Sequence, residues 1–155
     1  MPFAHRSATP IPPSALWFGA AGLIPFYACL LVAALDLTHH PLIALNALSI
    51  YAALILTFTG AIWWGLAVLA PAGKPVGRLY GLSTVAALLA WVALLLPTSK
   101  GLALLMAGFM AQSLADYGLS FRHPDVFPHW LLRLRRGLTI GVLIALVLAS
   151  ALLPR

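Results

Sequence analysis

Asp116, in the stretch MAGFMAQSLADYG, is one of only three carboxylates among 155 residues, and the others are Asp36 and Asp125. Glutamate is absent. Paired-carboxylate acid–base catalysis has little to work with in such a chain. Three arginines, Arg133, Arg135 and Arg136, stand just before the apolar run LTIGVLIALVLASALL. An acid and an arginine in an apolar setting can neutralise one another, and their positions along helices suggest that one pair does. Counted from Gly101, Asp116 lies about 15 residues along a helix, or roughly 22 Å. That is close to the depth at which the arginine-bearing helix begins. At 100° per residue, Arg133 and Arg136 point one way, while Arg135 turns toward the face of Thr139 and Val142. The expectation is an Asp116–Arg135 contact that staples two helices, with Arg133 and Arg136 left to face lipid headgroups. A proton relay, a substrate counter-ion or an exposed interfacial acid are the other uses such an aspartate could have.

Two amides add to the polar inventory. Gln112 shares a small and polar helix stripe with Gly101, Gly108, Ala115 and Asp116, suited to close helix approach and cross-helix bonding. Asn46, Thr57, Thr59 and Gly60 fall in another apolar run and read as interhelical contacts. Four of the five histidines form two groups, His39 and His40 beside Asp36, and His123 and His129 around Asp125. A bilayer would separate them by about 30 Å. Neither group completes a zinc site by itself, since zinc takes three or four ligands. Cys29 stands alone in an apolar run and reads as a packed thiol. No nucleophile triad or phosphate-cradling loop is apparent, and no metal or cofactor is expected. Enzymatic activity is not expected either.

These residues must be positioned by elements that live in lipid. Hydrophobic residues make up 63% of the chain and charged ones 8%, with a mean hydropathy of +1.02. A water-soluble domain carries about 25% charge. The formal charge of +6 comes from basic residues set between apolar runs, which marks membrane topology rather than nucleic-acid binding. Runs of about 20 apolar residues cross a bilayer as helices. The fold expected is all-α, one transmembrane domain over residues 1–155 with spans near 16–35, 44–69, 79–96, 101–117 and 132–153. The first run is longer than a signal-peptide core, contains Pro25 and lacks a clean cleavage site, so it reads as a retained span. Pro25, with Gly19 and Gly22, predicts a kink there.

With five spans, Arg6, Lys74, Arg78, Arg122, Arg133, Arg135 and Arg136 share one face, and Lys100 and Arg155 the other. This bias puts the amino terminus in the cytoplasm and the carboxyl terminus in the periplasm. FRHPDVFPHW reads as a short membrane-surface stretch.

Several motifs, taken in order, resemble one family. They are GLIPFYA, YAALILTFTGAIWWGLAV, Trp91, Asp116 near the close of the fourth span, and Trp130 followed by LRRGLT. The family is the small multi-span group of unknown function found in proteobacterial inner membranes and in mitochondrial transmembrane-protein-69-like proteins. The resemblance covers the chain from about residue 16 and implies a five-helix inner-membrane protein, without assigning an activity. The family pattern often has His-Trp where this chain has Trp63-Trp64, so any role resting on that histidine is not carried over.

Two functions follow as expectations. One is an accessory, assembly or stabilising component of a larger membrane complex, with anionic lipid headgroups and other membrane proteins or further copies as partners. The alternative is a small-solute or proton transporter or channel using Asp116 and Gln112, with Asn46 and the Pro25 kink along its path. A quinone or haem pocket near Trp63 and Trp64 is a third idea, resting on aromatic residues alone.

Overall fold

The computed structural model describes residues 10–37, 39–70, 76–122 and 129–153. Arg6, Lys74, Arg155 and residues 123–128 of the expected surface stretch lie outside them. Among the described residues six helices follow in order: α1 (Pro13–Ala21), α2 (Ile24–Ala34), α3 (Pro41–Val68), α4 (Gly77–Leu95), α5 (Thr98–Arg122) and α6 (His129–Ala151). No strand occurs among the described residues.

Proline sets several of these boundaries. It occupies one of the first two positions of α1, α2 and α3, where its missing N–H would have had no intrahelical partner. It also ends α4. Leu96 is extended at φ −91° and ψ 157°, the conformation favoured by a residue that precedes proline, here Pro97. Asp36 and His39, in the turn between α2 and α3, take positive φ of 50° and 54°. Those residue types tolerate the left-handed region better than most.

The kink expected at Pro25 is a break. The first apolar run is two helices joined through Gly22 and Leu23, with Pro25 in the first turn of the second. Tyr51 of α3 caps the break by donating its hydroxyl to the Gly22 carbonyl at 3.0 Å. Its ring meets Phe26 edge-on, with centroids 5.0 Å apart. Neighbouring helices thus satisfy backbone freed by the break, as an apolar solvent requires.

Among the described residues, four segments are long and apolar enough to cross a membrane, Pro13–Ala34, Pro41–Val68, Gly77–Leu95 and Thr98–Ser120. The α5 helix continues past Tyr117, where the apolar count stopped. Leu119 is buried in a cluster with Trp63, Ala67 and Leu79, and that packing draws the helix onward. The sixth helix covers the last expected span and carries all three clustered arginines in its first turns.

Contacts fix the helix directions. Asn46 meets Thr98 near the starts of α3 and α5, while Trp63 meets Asp116 toward their ends, so these helices run parallel. Arg135, early in α6, meets Asp116, late in α5, so α6 runs back. Gly108 lies against both Leu56 and Leu89, and Gly101 against Ala93, which sets α4 antiparallel to α5. The α3 helix packs against α2, α4 and α5, and α6 closes the bundle over α5, α2 and α1. Arg78, Arg133, Arg135 and Arg136 therefore gather at one end, with Lys100 at the other.

The middle of the bundle is apolar. Phe26, Leu45, Leu48, Leu56, Leu102, Leu105 and Leu146 pack there with alanines from α3, α4 and α6. Close approach depends on glycine at two positions. A Cβ on Gly60 would stand 2.6 Å from that of Ala86, and one on Gly101 would stand 2.6 Å from the Ala93 carbonyl oxygen.

Candidate functional site: a buried polar clasp

The site is built from three helical i, i+4 pairs, each presenting two residues on one face. The α3 helix supplies Thr59 and Trp63, α5 supplies Gln112 and Asp116, and α6 supplies Arg135 and Thr139. Five of these six form one network, which closes the expected staple and extends it.

Asp116 is 3% exposed and Arg135 7%. Arg135 Nε donates to Asp116 Oδ2 at 2.6 Å, and its Nη1 donates to the Thr59 carbonyl at 2.8 Å. The other carboxylate oxygen, Oδ1, accepts from Trp63 Nε1 at 2.7 Å. Thr59 Oγ1 donates to the Ile55 carbonyl at 2.8 Å and lies 3.1 Å from Gln112 Nε2, which donates to it. Among the described residues, no enclosed side-chain nitrogen or oxygen lacks a partner.

The electrostatics explain why every member is needed. A charge inside a membrane protein is costly unless it faces the protein interior and finds a partner. Asp116 and Arg135 cancel one another, and Trp63 and the Thr59 carbonyl take up hydrogen-bonding capacity that the pair leaves over. Breaking such a buried pair by removing one partner costs about 3–5 kcal/mol. The clasp therefore ties α3, α5 and α6 together at the basic end.

The other polar residues stand apart. Arg133 and Arg136 are exposed on the outer side of α6, opposite in sense to Arg135. Asn46 does not join the clasp. Its Oδ1 accepts from Thr98 Oγ1 at 2.8 Å, beside a groove of about 440 Å³ at the far end of the bundle. Cys29 is half-buried. Among the described residues, no three histidine, cysteine or acidic side chains gather where a metal could sit. His123 and Asp125 lie outside the described residues.

Two contributions exceed the sequence reading. Trp63 is 2% exposed and serves as a hydrogen-bond donor, where the Trp-Trp pair suggested a lost histidine or, from its rings alone, a quinone or haem pocket. Thr59 contributes its backbone as well as its hydroxyl. The signal that could have found them is the shared four-residue spacing of the polar pairs in α3, α5 and α6.

Comparison with known proteins agrees with this architecture. The chain is 35% identical over 138 residues to transmembrane protein 69 of Xenopus tropicalis, which covers 88% of this chain and 53% of that protein. It thus spans about half the length of that relative. No solved structure matches it. Residues 11–151 match the model of a family of proteins of unknown function, DUF3429. This chain, a transmembrane helical bundle, belongs to that family.

Proposed function

We propose that the protein is a five-span accessory component of a larger membrane complex, which it stabilises or helps to assemble through its lateral helix faces. Its setting is the bacterial inner membrane, with the amino terminus cytoplasmic and the carboxyl terminus periplasmic. The collection of Arg78, Arg133, Arg135 and Arg136 at one end of the bundle supports that orientation, since cytoplasmic ends carry the excess of Lys and Arg. Anionic headgroups at this face are the partners of Arg133 and Arg136.

One observation carries the accessory reading over transport. Apart from Ser49, Tyr51 and Thr57, whose hydroxyls are spent on backbone carbonyls, the interior polar residues of α3 fall into two groups about 20 Å apart, counting Asn46 to Thr59 at 1.5 Å per residue. Between them the described interior is filled by Leu48, Leu56, Leu102, Leu105 and Phe109. A polar route across the membrane needs side chains or water to span that interval, and close-packed leucines supply neither. The clasp itself is occupied by mutual bonds, as a structural lock is.

The transporter alternative keeps one point in its favour, because Gln112 and Arg135 border a cavity. The test is isolation of the tagged protein from native membranes in a mild detergent, with the co-purifying proteins quantified. A stoichiometric membrane complex is the expected result. A homogeneous monomer or homo-oligomer without partners would overturn the accessory reading and move Asp116→Asn to the front of a transport assay.

A further inference from the structure

Beside the clasp lies a cavity of about 120 Å³, bounded by α1, the Gly22–Leu23 break, α2, α3, α5 and α6. Its walls are aromatic, with Phe18, Phe26, Phe58 and Phe109 around it. Its polar edge is Thr59, Gln112, Arg135 and Thr139. Phe18 is 80% exposed and Phe58 68%. The α1 helix rests on α6 rather than on α3, so the cleft between these two phenylalanines opens sideways, toward lipid.

Two residues that border this space, Arg135 and Thr139, carry donors without a protein partner among the described residues. Arg135 spends Nε on Asp116 and Nη1 on Thr59, and its second amino group has no hydrogen-bond partner among the described residues. That amino group is not sealed off, since no enclosed side-chain nitrogen is left unsatisfied. The Thr139 hydroxyl, one turn further along α6, likewise has no partner among the described residues, and it lines the same cavity.

We infer that this cavity binds the headgroup of a neutral, carbonyl-bearing ring amphiphile from the bilayer, of the chemical class of a membrane quinone. Five properties select this class. Asp116 already balances Arg135, so a carboxylate ligand would bring an uncompensated charge into a low-dielectric site, whereas a neutral acceptor would not. The unpartnered groups are donors, which a ring carbonyl satisfies. At about 120 Å³, against about 150 Å³ for a cavity that binds benzene, the enclosed space limits the buried part of the ligand to one small ring, with ring substituents left to the sideways opening. Phenylalanines on several sides offer edge and face contacts to a flat ring. The sideways opening leaves a route for an apolar tail into the hydrocarbon. The Trp63–Trp64 pair, where aromatic residues alone suggested a quinone or haem, does not line this cavity.

The test uses the full chain in mild detergent, with 1:1 adducts quantified by native mass spectrometry. Three probes are compared: a decyl-substituted dimethoxy-methyl-benzoquinone, monoolein as a neutral acyl ester, and oleate as an anion. Thr139→Val removes the hydroxyl and keeps the shape, while Thr139→Leu also fills the space. Asn46→Ala, at the far end, is the control. Saturable quinone binding is expected. Loss of one hydrogen bond should weaken it about 2- to 10-fold in Thr139→Val. Thr139→Leu should lose the adduct while melting like the parent, and Asn46→Ala should bind as the parent does. Preferential monoolein binding with the same variant pattern would overturn the quinone class in favour of an acyl lipid. Tighter oleate binding would overturn the neutral-ligand rule. Absence of any adduct, or equal adducts in every variant, would overturn the site.

Discussion

The two ends of the parallel α3–α5 pair solve the same problem differently. At one end, exposed Asn46 and half-buried Thr98 share a single hydrogen bond. At the other, a carboxylate and a guanidinium are withdrawn from the surface, Trp63 and the Thr59 carbonyl add bonds to them, and Gln112 holds Thr59. Exposure explains the difference. An exposed amide can exchange partners with headgroups or water, so one protein bond suffices. A buried charge has little such reserve, and most of its bonding positions must be met by the protein itself.

Removing a charge from the clasp should break that contrast most severely. Asp116→Ala or Arg135→Ala leaves the partner buried and unpaired, with an expected loss of about 3–5 kcal/mol. Thermal unfolding in mild detergent, followed by circular dichroism, measures it. The double variant Asp116→Asn with Arg135→Gln should recover part of the loss, because neither charge is then stranded. If the single variants melt as the parent does, the clasp is not holding the bundle together.

Trp63→Phe keeps an aromatic ring and removes only the donor to Asp116. A hydrogen bond to a charged group contributes about 1.5–3 kcal/mol, and a loss in that range is expected in the same assay. Trp63→His, which retains a ring N–H, should fall between Trp63→Phe and the parent. Equal stability of the two variants would mean that ring packing, not donation, is what matters at this position.

Steric substitutions sharpen the comparison, because they should treat both ends alike. Gly60→Ala drives a methyl against Ala86 beside the clasp, and Gly101→Ala drives one against the Ala93 backbone at the far end. Each should cost about 1–3 kcal/mol by overpacking. A large asymmetry between them would show that the two ends also differ in how far their helices can separate.

Asn46→Ala should have the smallest effect. Interhelical hydrogen bonds in membrane proteins average about 0.6 kcal/mol by double-mutant cycles. A melting shift comparable to that of Asp116→Ala would remove the distinction between the two ends altogether.

How much of this was legible from sequence differs between backbone and site. The runs that became α3 and α4 were readable within a few residues, because twenty apolar residues in a row permit little else in lipid. The α5 helix was read short, since Gly118 and Ser120 look like an ending while the burial of Leu119 against Trp63 keeps the helix going. The break before Pro25 was readable as a kink. Its depth depends on Tyr51, an acceptor's partner 29 residues away. Asp116 and Arg135 could be paired from helical phase and depth alone. Trp63 was harder to add, because a tryptophan in an apolar run has the same local appearance whether its N–H meets a carboxylate or points into headgroups, and only its four-residue spacing from Thr59 marks it.

The sequence by itself determined the solvent, the helical class and the one-sided distribution of arginine. All three depend on composition and on local periodicity, which the chain carries without reference to its partners. Only the tertiary structure decided that Asn46 stands apart from Gln112, that Thr59 lends its carbonyl, and that an aromatic cavity opens toward lipid beside Arg135. Those outcomes depend on which helix faces meet, and on glycines such as Gly60 that set how closely they do. No local pattern encodes the distance between residues brought together from different helices.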